Sequence, residues 1–314
     1  MAITNNFPTG GSSSIDLRRT LIASFTTAGT YTWTVPEEIK KKGFVDVYIM
    51  GGGGSGGAAA QASDNSSYTL AIGGAAGYST ILNNFPLTGK TSINIVVGAG
   101  GAAVTAKTSD NVASSSYSYD AQNDYAYGNK GGTSKFENYE AEGGEGGGAK
   151  VAFSNNSDSF YRLKGASGGS GSCGIYGGYW LDADITTNLP GSNGADGAFL
   201  HDADQTIPED ESDADYIGKG MGKNNVINKY NSGSIMGAAG GIAMARDNGN
   251  YNQAQSAIAT AYGSSGAGST NGTGKSATGN GNGGGGTVKV STSGTTTITA
   301  TSGAGAPGLV LIYG

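Results

Sequence analysis

The chain has one cysteine, Cys173, and one histidine, His201, in 314 residues. A single cysteine excludes an intrachain disulfide, and its expected role is that of a small buried residue. Cys173 and His201 stand in separate segments without supporting motifs, so no histidine-based nucleophilic site is expected. Proline is scarce, at 6 residues, and charged residues make up only 13%; disordered chains are commonly rich in both. No apolar run approaches the ~18 residues of a membrane-spanning helix. The opening MAITNNFPTGG has neither the basic region nor the apolar stretch of a secretory leader. The net charge of −6 argues against a nucleic-acid partner. Leu, Ile, Val and Phe number 50, roughly 16% of the chain and below the ~20% expected of a standard hydrophobic core.

What fills the space is glycine, at 59 residues. Ordering glycine costs more backbone entropy than ordering any other residue, so something other than a standard core must order it. The first block follows an apolar strand, FVDVYIMGGGGSGGAAA (44–60), and Gly52, Gly54 and Gly57 match G-x-G-x-x-G. A dinucleotide turn needs a helix after the third glycine and an acid about 20 residues on. Only Ala58 to Ala62 precede SDNSSY, and no Asp or Glu stands between Asp64 and Asp110. Two further near misses, GTGKS (272–276) and TGKTS (88–92), have Ser269 and Asn84 where a phosphate loop needs its first glycine.

Strand patterns frame the chain. LIASFTTAGTYTWTVP (21–36) reads as two strands about Ala28-Gly29, with Phe25, Tyr31, Trp33 and Val35 alternating. FVDVYIM (44–50), YSTILNNF (78–85) and TSINIVVG (91–98) continue the series, and PGLVLIYG (307–314) closes it. GTVKVSTSGTTTITATSG (286–303) reads as a hairpin about Ser293-Gly294, and NQAQSAIATAY (252–262) is the one weak helix candidate. Between the strands, glycine blocks such as 51–57, 73–77, 98–101, 143–148, 165–174, 237–241, 263–268, 279–286 and 303–308 alternate with polar, Tyr-rich segments at 104–130, 150–164, 179–190, 198–218 and 223–236. No strict G-X-Y period is present, which excludes collagen. Glycine blocks in extended polyproline II can pack backbone to backbone, their amides bonding to neighbouring blocks. At ~3.1 Å per residue, seven residues span roughly 20 Å. The expected fold is mainly β and irregular with almost no α-helix: short antiparallel strands framing a stack of polyglycine II helices, with the polar segments as distal loops. A flexible Gly/Ser linker would not need so many blocks interleaved with Tyr-rich segments.

The run SFTTAGTYTWTVPEEI…FVDVYIMGGGGSGG, together with GAGAPGLVLIYG, resembles the glycine-rich domain of tailed-phage tail fibres and receptor-binding proteins. Its alternation of glycine blocks and polar loops is similar to the tail-tip adhesins of T-even-type coliphages. The resemblance covers about residues 20 to 314, and the strand-rich frame at both ends departs from those adhesins. It implies a virion protein that touches a bacterial surface receptor, protein or glycan, through distal loops. Residues 1–20 would attach it to other tail-fibre or baseplate proteins, with a homotrimer among the assemblies left open. Residues 21–314 would form one domain, its β base from 21–102 and 286–314 and its stack and loops from 103–285.

Binding residues concentrate on loops held by a rigid scaffold, and tyrosine gives large contact area at low entropic cost. Tyr117, Tyr119, Tyr125 and Tyr127 in one loop, and Tyr176, Tyr179 and Trp180 in another, are therefore the expected receptor contacts. Some of these rings would pack over the glycine helices instead. Trp33, in an alternating strand, reads as core. Ten carboxylates lie between Asp182 and Asp215, but DADITTNLPGSNG lacks the ligand spacing of a calcium loop, and a solvated acidic segment is the expectation. No metal, cofactor or catalysis is expected. A bacterial surface adhesin, or a structural or ice-binding polyglycine protein, is the alternative, and a fibre-borne depolymerase the third.

Overall fold

The computed structural model describes residues 20–62, 67–108, 125–153, 161–163, 186–189, 197–199, 237–246, 251–254, 256–260, 262–291 and 297–314. Strands and irregular extended segments make up nearly all of it. Among the described residues the helix is Glu37–Lys42 alone. It is set by Glu37 and Glu38 in the first turn, three lysines in the last, and a left-handed Gly43 whose N–H bonds the Ile39 carbonyl. The segment 252–262 is not a helix: Tyr251–Ala254 and Ala259–Thr260 are strands.

One end of the molecule, the base, is a two-sheet sandwich. The first sheet runs in the order Leu21–Phe25, Leu309–Tyr313, Phe44–Met50, Ser79–Pro86, Thr186–Leu189, and every pairing is antiparallel. The second runs Tyr139–Ala141, Ser134–Phe136, Ser92–Val97, Gly29–Thr34. Between them lies the largest apolar core, where Trp33 meets Val47, Ile49, Val310 and Ile312 as strand alternation predicts. Thr20 and Gly314 exchange backbone hydrogen bonds beside it. The base thus draws on residues 134–141, while 58–71 and 287–301 lie at the far end.

The outer face of the first sheet holds a second cluster, in which Tyr262 stacks on Tyr48 at 5.8 Å between ring centres and Tyr313 lies nearby. Burial pushes the hydroxyls of Tyr48, Tyr262 and Tyr313 above the usual tyrosine range, and the charges of Tyr262 and Tyr313 raise Tyr48 further, as that of Tyr313 does Tyr262. These groups favour the protonated, folded state. Their contribution is complete below the unfolded tyrosine pKa of about 10 and is lost as pH rises past it. The melting temperature should therefore fall above about pH 10, and Tyr262→Phe should flatten that fall in melts recorded along an alkaline pH series.

From the base rise the glycine blocks, and their hydrogen bonds repeat every third residue, the period of polyproline II. In the block 51–57, Gly51, Gly54 and Gly57 donate to Tyr78, Ala75 and Ile72; Gly52 and Ser55 donate to Gly132 and Asn129; Gly53 and Gly56 donate to Ala306 and Gly303. Three antiparallel neighbours thus take its amides in rotation. Its carbonyls accept from three others: Gly52 and Ser55 from Gly144 and Gly147, Gly53 from Gly101, and Gly54 and Gly57 from Gly284 and Thr287. A block with six bonded neighbours is the centre of a hexagonal lattice. The block 281–286 is a second centre. It donates to 237–241, to Lys275 and to Gly54, and it accepts from Gly74 and Gly77, from Gly266 and Ser269, and from Gly303 and Ala306. Adjacent lattice points share two neighbours, and here these are 72–78 and 302–308. The two centres, the shared pair, and 98–102, 128–132 and 143–148 on one side with 237–242, 265–268 and 274–277 on the other form ten columns among the described residues.

Glycine is required because the columns approach closer than side chains allow. A Cβ on Gly54 would sit under 3.0 Å from the Glu145 and Gly144 carbonyl oxygens, and one on Gly285 would meet the Ala267 carbonyl as closely. Ser55 is the exception in the central block: its buried hydroxyl accepts from the Asn129 N–H at 2.8 Å. The order sought in composition thus comes from backbone hydrogen bonds and close contact, each bond contributing about 1 kcal/mol.

At the far end the columns turn into strands and fall into three layers. The first is Ala149–Phe153, Ser67–Ala71, Ala243–Arg246, Tyr251–Ala254; the middle is Thr287–Ser291, Ala58–Ala62, Tyr125–Ala126; the third is Ile298–Thr301 with Thr105–Thr108. The middle layer is covered on both faces. Ala59, Ala71, Ala149, Ala243, Ala245 and Val288 fill one gap, and Ala58, Ala60, Ala106, Ile298 and Ala300 the other. Alanine keeps the layers near the spacing that the glycine columns impose below. The expected hairpin at 286–303 is not formed. Thr287–Ser291 pairs in parallel with Ala58–Ala62, and Ile298–Thr301 pairs with Thr105–Thr108. Its two arms continue columns of different layers, so a hairpin pairing would break the lattice.

Candidate functional site

The far end is where polar connections leave the scaffold. SDNS (63–66) joins Ala58–Ala62 to Ser67–Ala71, and the sixteen-residue, Tyr- and Ser-rich segment 109–124 joins Thr105–Thr108 to Tyr125–Ala126. DNGN (247–250) and TSGTT (292–296) join the strands on either side of them. All four are Gly, Ser, Thr, Asn or Asp-rich, the chemistry of turns rather than of lattice columns.

Of the expected receptor contacts, Tyr117, Tyr119, Tyr176, Tyr179 and Trp180 lie outside the described residues. Tyr125 and Tyr127 lie within them, and they differ. Tyr125 belongs to a strand, where it pairs opposite Ala59 and packs half-buried against the alanine core between the first and middle layers. Its environment is structural as well as superficial. Tyr127 is 61% exposed, with its ring 5.5 Å from that of Tyr125 and edge-on to it at 73°. Tyr127 stands one residue past the strand Tyr125–Ala126, and the half-buried Tyr125 ring props the exposed one.

The backbone beneath Tyr127 is fixed. Gly128 donates to Gly147, and the Asn129 side chain donates to the Ala102 carbonyl at 2.9 Å. Lys130 reaches Glu145 at 2.7 Å and Glu142 at 3.7 Å, across to the neighbouring column. The Glu145 hydrogen bond is the main cause that raises the lysine pKa above its usual range, in spite of partial burial. Tyr127 thus presents an amphipathic ring on a rigid support, at the edge of the middle layer.

Nearby, Gln61 is buried and accepts from Thr69 Oγ1 at 2.7 Å, while its Nε2 has no partner among the described residues. Neither Gln61 nor the Lys130 network carries a local signal in the sequence. The spacing K-x11-E-x2-E could not reveal that two columns bring these residues together.

A family model described as a glycine-rich domain matches residues 26–313. No curated protein sequence matches the chain.

Proposed function

The chain belongs to the glycine-rich domain family, and from that premise we propose that it is a phage tail-fibre or tail-tip adhesin that recognises a bacterial surface receptor. The observation that carries the reading is the division of labour between the two ends. Thr20 and Gly314 pair at the base, while Tyr-, Ser- and Asn-rich connections leave from the far end, where the exposed Tyr127 stands on a glycine-rich lattice. Such a lattice fixes the strand ends from which the polar connections leave, which suits recognition by surface contact. Residues 1–20 serve attachment to other tail-fibre or baseplate proteins, and the domain acts on the virion. Tyr117, Tyr119, Tyr176, Tyr179 and Trp180 join Tyr127 as the proposed contacts.

The test is adhesion of the labelled, purified protein to a panel of enterobacterial cells, before and after protease or glycan-stripping treatment. Strain-selective binding lost on one treatment supports the reading and names the receptor class. Absence of binding to every strain would sink it. Tyr127→Ser should weaken binding to a recognised strain about 30-fold, since an interface anchor often contributes 2 kcal/mol, without moving the melting temperature. Tyr125→Ser should lower both, because that ring also covers the alanine core.

A further inference from the structure

The third layer of the far end has an outward face built unlike the rest of the molecule. Ala106, Ile298 and Ala300 turn inward to the core, so alternation directs Thr105, Lys107, Thr299 and Thr301 outward. Thr301 pairs with Thr105, their hydroxyl oxygens 3.1 Å apart, and bridges on its other side to Thr273. A transverse row of three threonines results, about 10 Å long at the spacing of neighbouring strands. Lysines flank it. Lys107 pairs opposite Thr299. Lys289 belongs to the middle layer and is half-buried; its stem reaches the edge of this face across Gly272, where an added Cβ would be 2.6 Å from its Cδ, beside the Thr299 carbonyl. Lys275 follows two residues after Thr273, and both it and Lys107 are exposed.

None of these three lysines has an ion-pair partner among the described residues, whereas Lys40, Lys90, Lys130 and Lys135 each do. The cause lies in the sequence: no Asp or Glu follows Asp247, and none stands between Asp64 and Asp110. In a chain of net charge −6, this face is cationic and carries hydroxyls in register.

We infer that this face binds an anionic, phosphate-bearing surface glycan. The inference rests on the adhesin reading and deepens it by naming a second, lateral contact. Lysine ammoniums meet phosphate as compact point charges. The threonine row supplies donors and acceptors for sugar hydroxyls, which a purely electrostatic patch would lack. The ligand lies across the layer, with its phosphates at Lys107, Lys275 and Lys289 and its sugars on Thr105, Thr301 and Thr273.

The experiment measures binding of the full chain to phosphomannan, to the same mannan stripped of phosphate, and to inorganic polyphosphate, at low and at physiological salt. The wild type should bind phosphomannan, more weakly as salt rises, and leave stripped mannan unbound. Combined Lys107→Glu, Lys275→Glu and Lys289→Glu should weaken phosphomannan binding at least about tenfold, as expected for loss of charge-assisted contacts, at an unchanged melting temperature. If that protein melts early, the corresponding Lys→Gln variant takes its place. Combined Thr105→Val and Thr301→Val should weaken phosphomannan but not polyphosphate binding. The proposal is overturned if the wild type ignores phosphomannan, if stripped mannan binds equally, or if the lysine variant binds like wild type. It is also overturned if binding appears only after the carboxylates from Asp202 to Asp215 are neutralised, which would assign the face to the chain's own acidic segment. Lysine variants that adhere to cells like wild type remove this contact alone. A wild type that binds phosphomannan yet no cell removes the adhesin reading.

Discussion

Gly54→Ala is expected to abolish the folded state although it adds a single methyl group. Gly54 lies in the central column, where its N–H bonds Ala75 and its carbonyl accepts from Gly284. The new Cβ would meet the Glu145 carbonyl of a third column at a distance that real Cβ atoms do not adopt. Overpacking a side-chain core costs about 1–3 kcal/mol because side chains can shift. Here the obstacle is backbone, and moving column 143–148 would also break its bonds to 72–78 and 128–132. The comparison with collagen, where a single Gly replacement disrupts the helix, is apt. Gly89→Ala is the control: nothing lies within 4 Å of its Cβ position and its φ is +73°, so the cost is left-handed strain of about 1–2 kcal/mol. Circular dichroism melts of the two variants decide the matter. A cooperative transition for Gly54→Ala within a few degrees of wild type would show that the columns have room the geometry denies.

Trp33→Ala is expected to be the most damaging truncation in the base. Trp33 is 8% exposed and shares its core with Val47, Ile49, Val310 and Ile312. Removing a buried aromatic ring costs about 3–5 kcal/mol, a large part of the ~5–15 kcal/mol of a typical domain. The loss should be transmitted upward, because strands 44–50 and 309–313 run directly into columns 51–57 and 302–308. Denaturant unfolding should show a lower midpoint with an unchanged slope. A changed slope would mean that the base unfolds separately from the lattice.

The base was legible because its signals are local. Phe25, Tyr31, Trp33 and Val35 alternate, and FVDVYIM and LVLIY are apolar runs of strand length; strands form at 29–34, 44–50 and 309–313. The backbone stack followed from glycine spacing and scarce large side chains. What resisted reading was partnership. Nothing in GTVKVSTSGTTTITATSG says that its halves belong to different layers, since the deciding contacts are with Ala58–Ala62 and Thr105–Thr108, far away in sequence. The helix Glu37–Lys42 carried its signal openly, acids first and lysines last before a glycine, but it spans under two turns. Among the expected contacts, Tyr125 and Tyr127 were equivalent in sequence. Only the pairing with Ala59 separates the ring that props from the ring that reaches out.

The regrouping of columns between the two ends has a mechanical meaning. Column 51–57 joins 72–78 and 302–308 in the lower sheet, yet it joins 128–132 and 281–286 in the upper one. The grain therefore changes along the axis, as in cross-laminated timber, and no cleavage plane runs the full length. A pull on a loop at the far end loads columns that are tied sideways at the base, so no single leaf can peel away. A molecule with so little apolar filling should for this reason rupture in one event at high force rather than fray in steps.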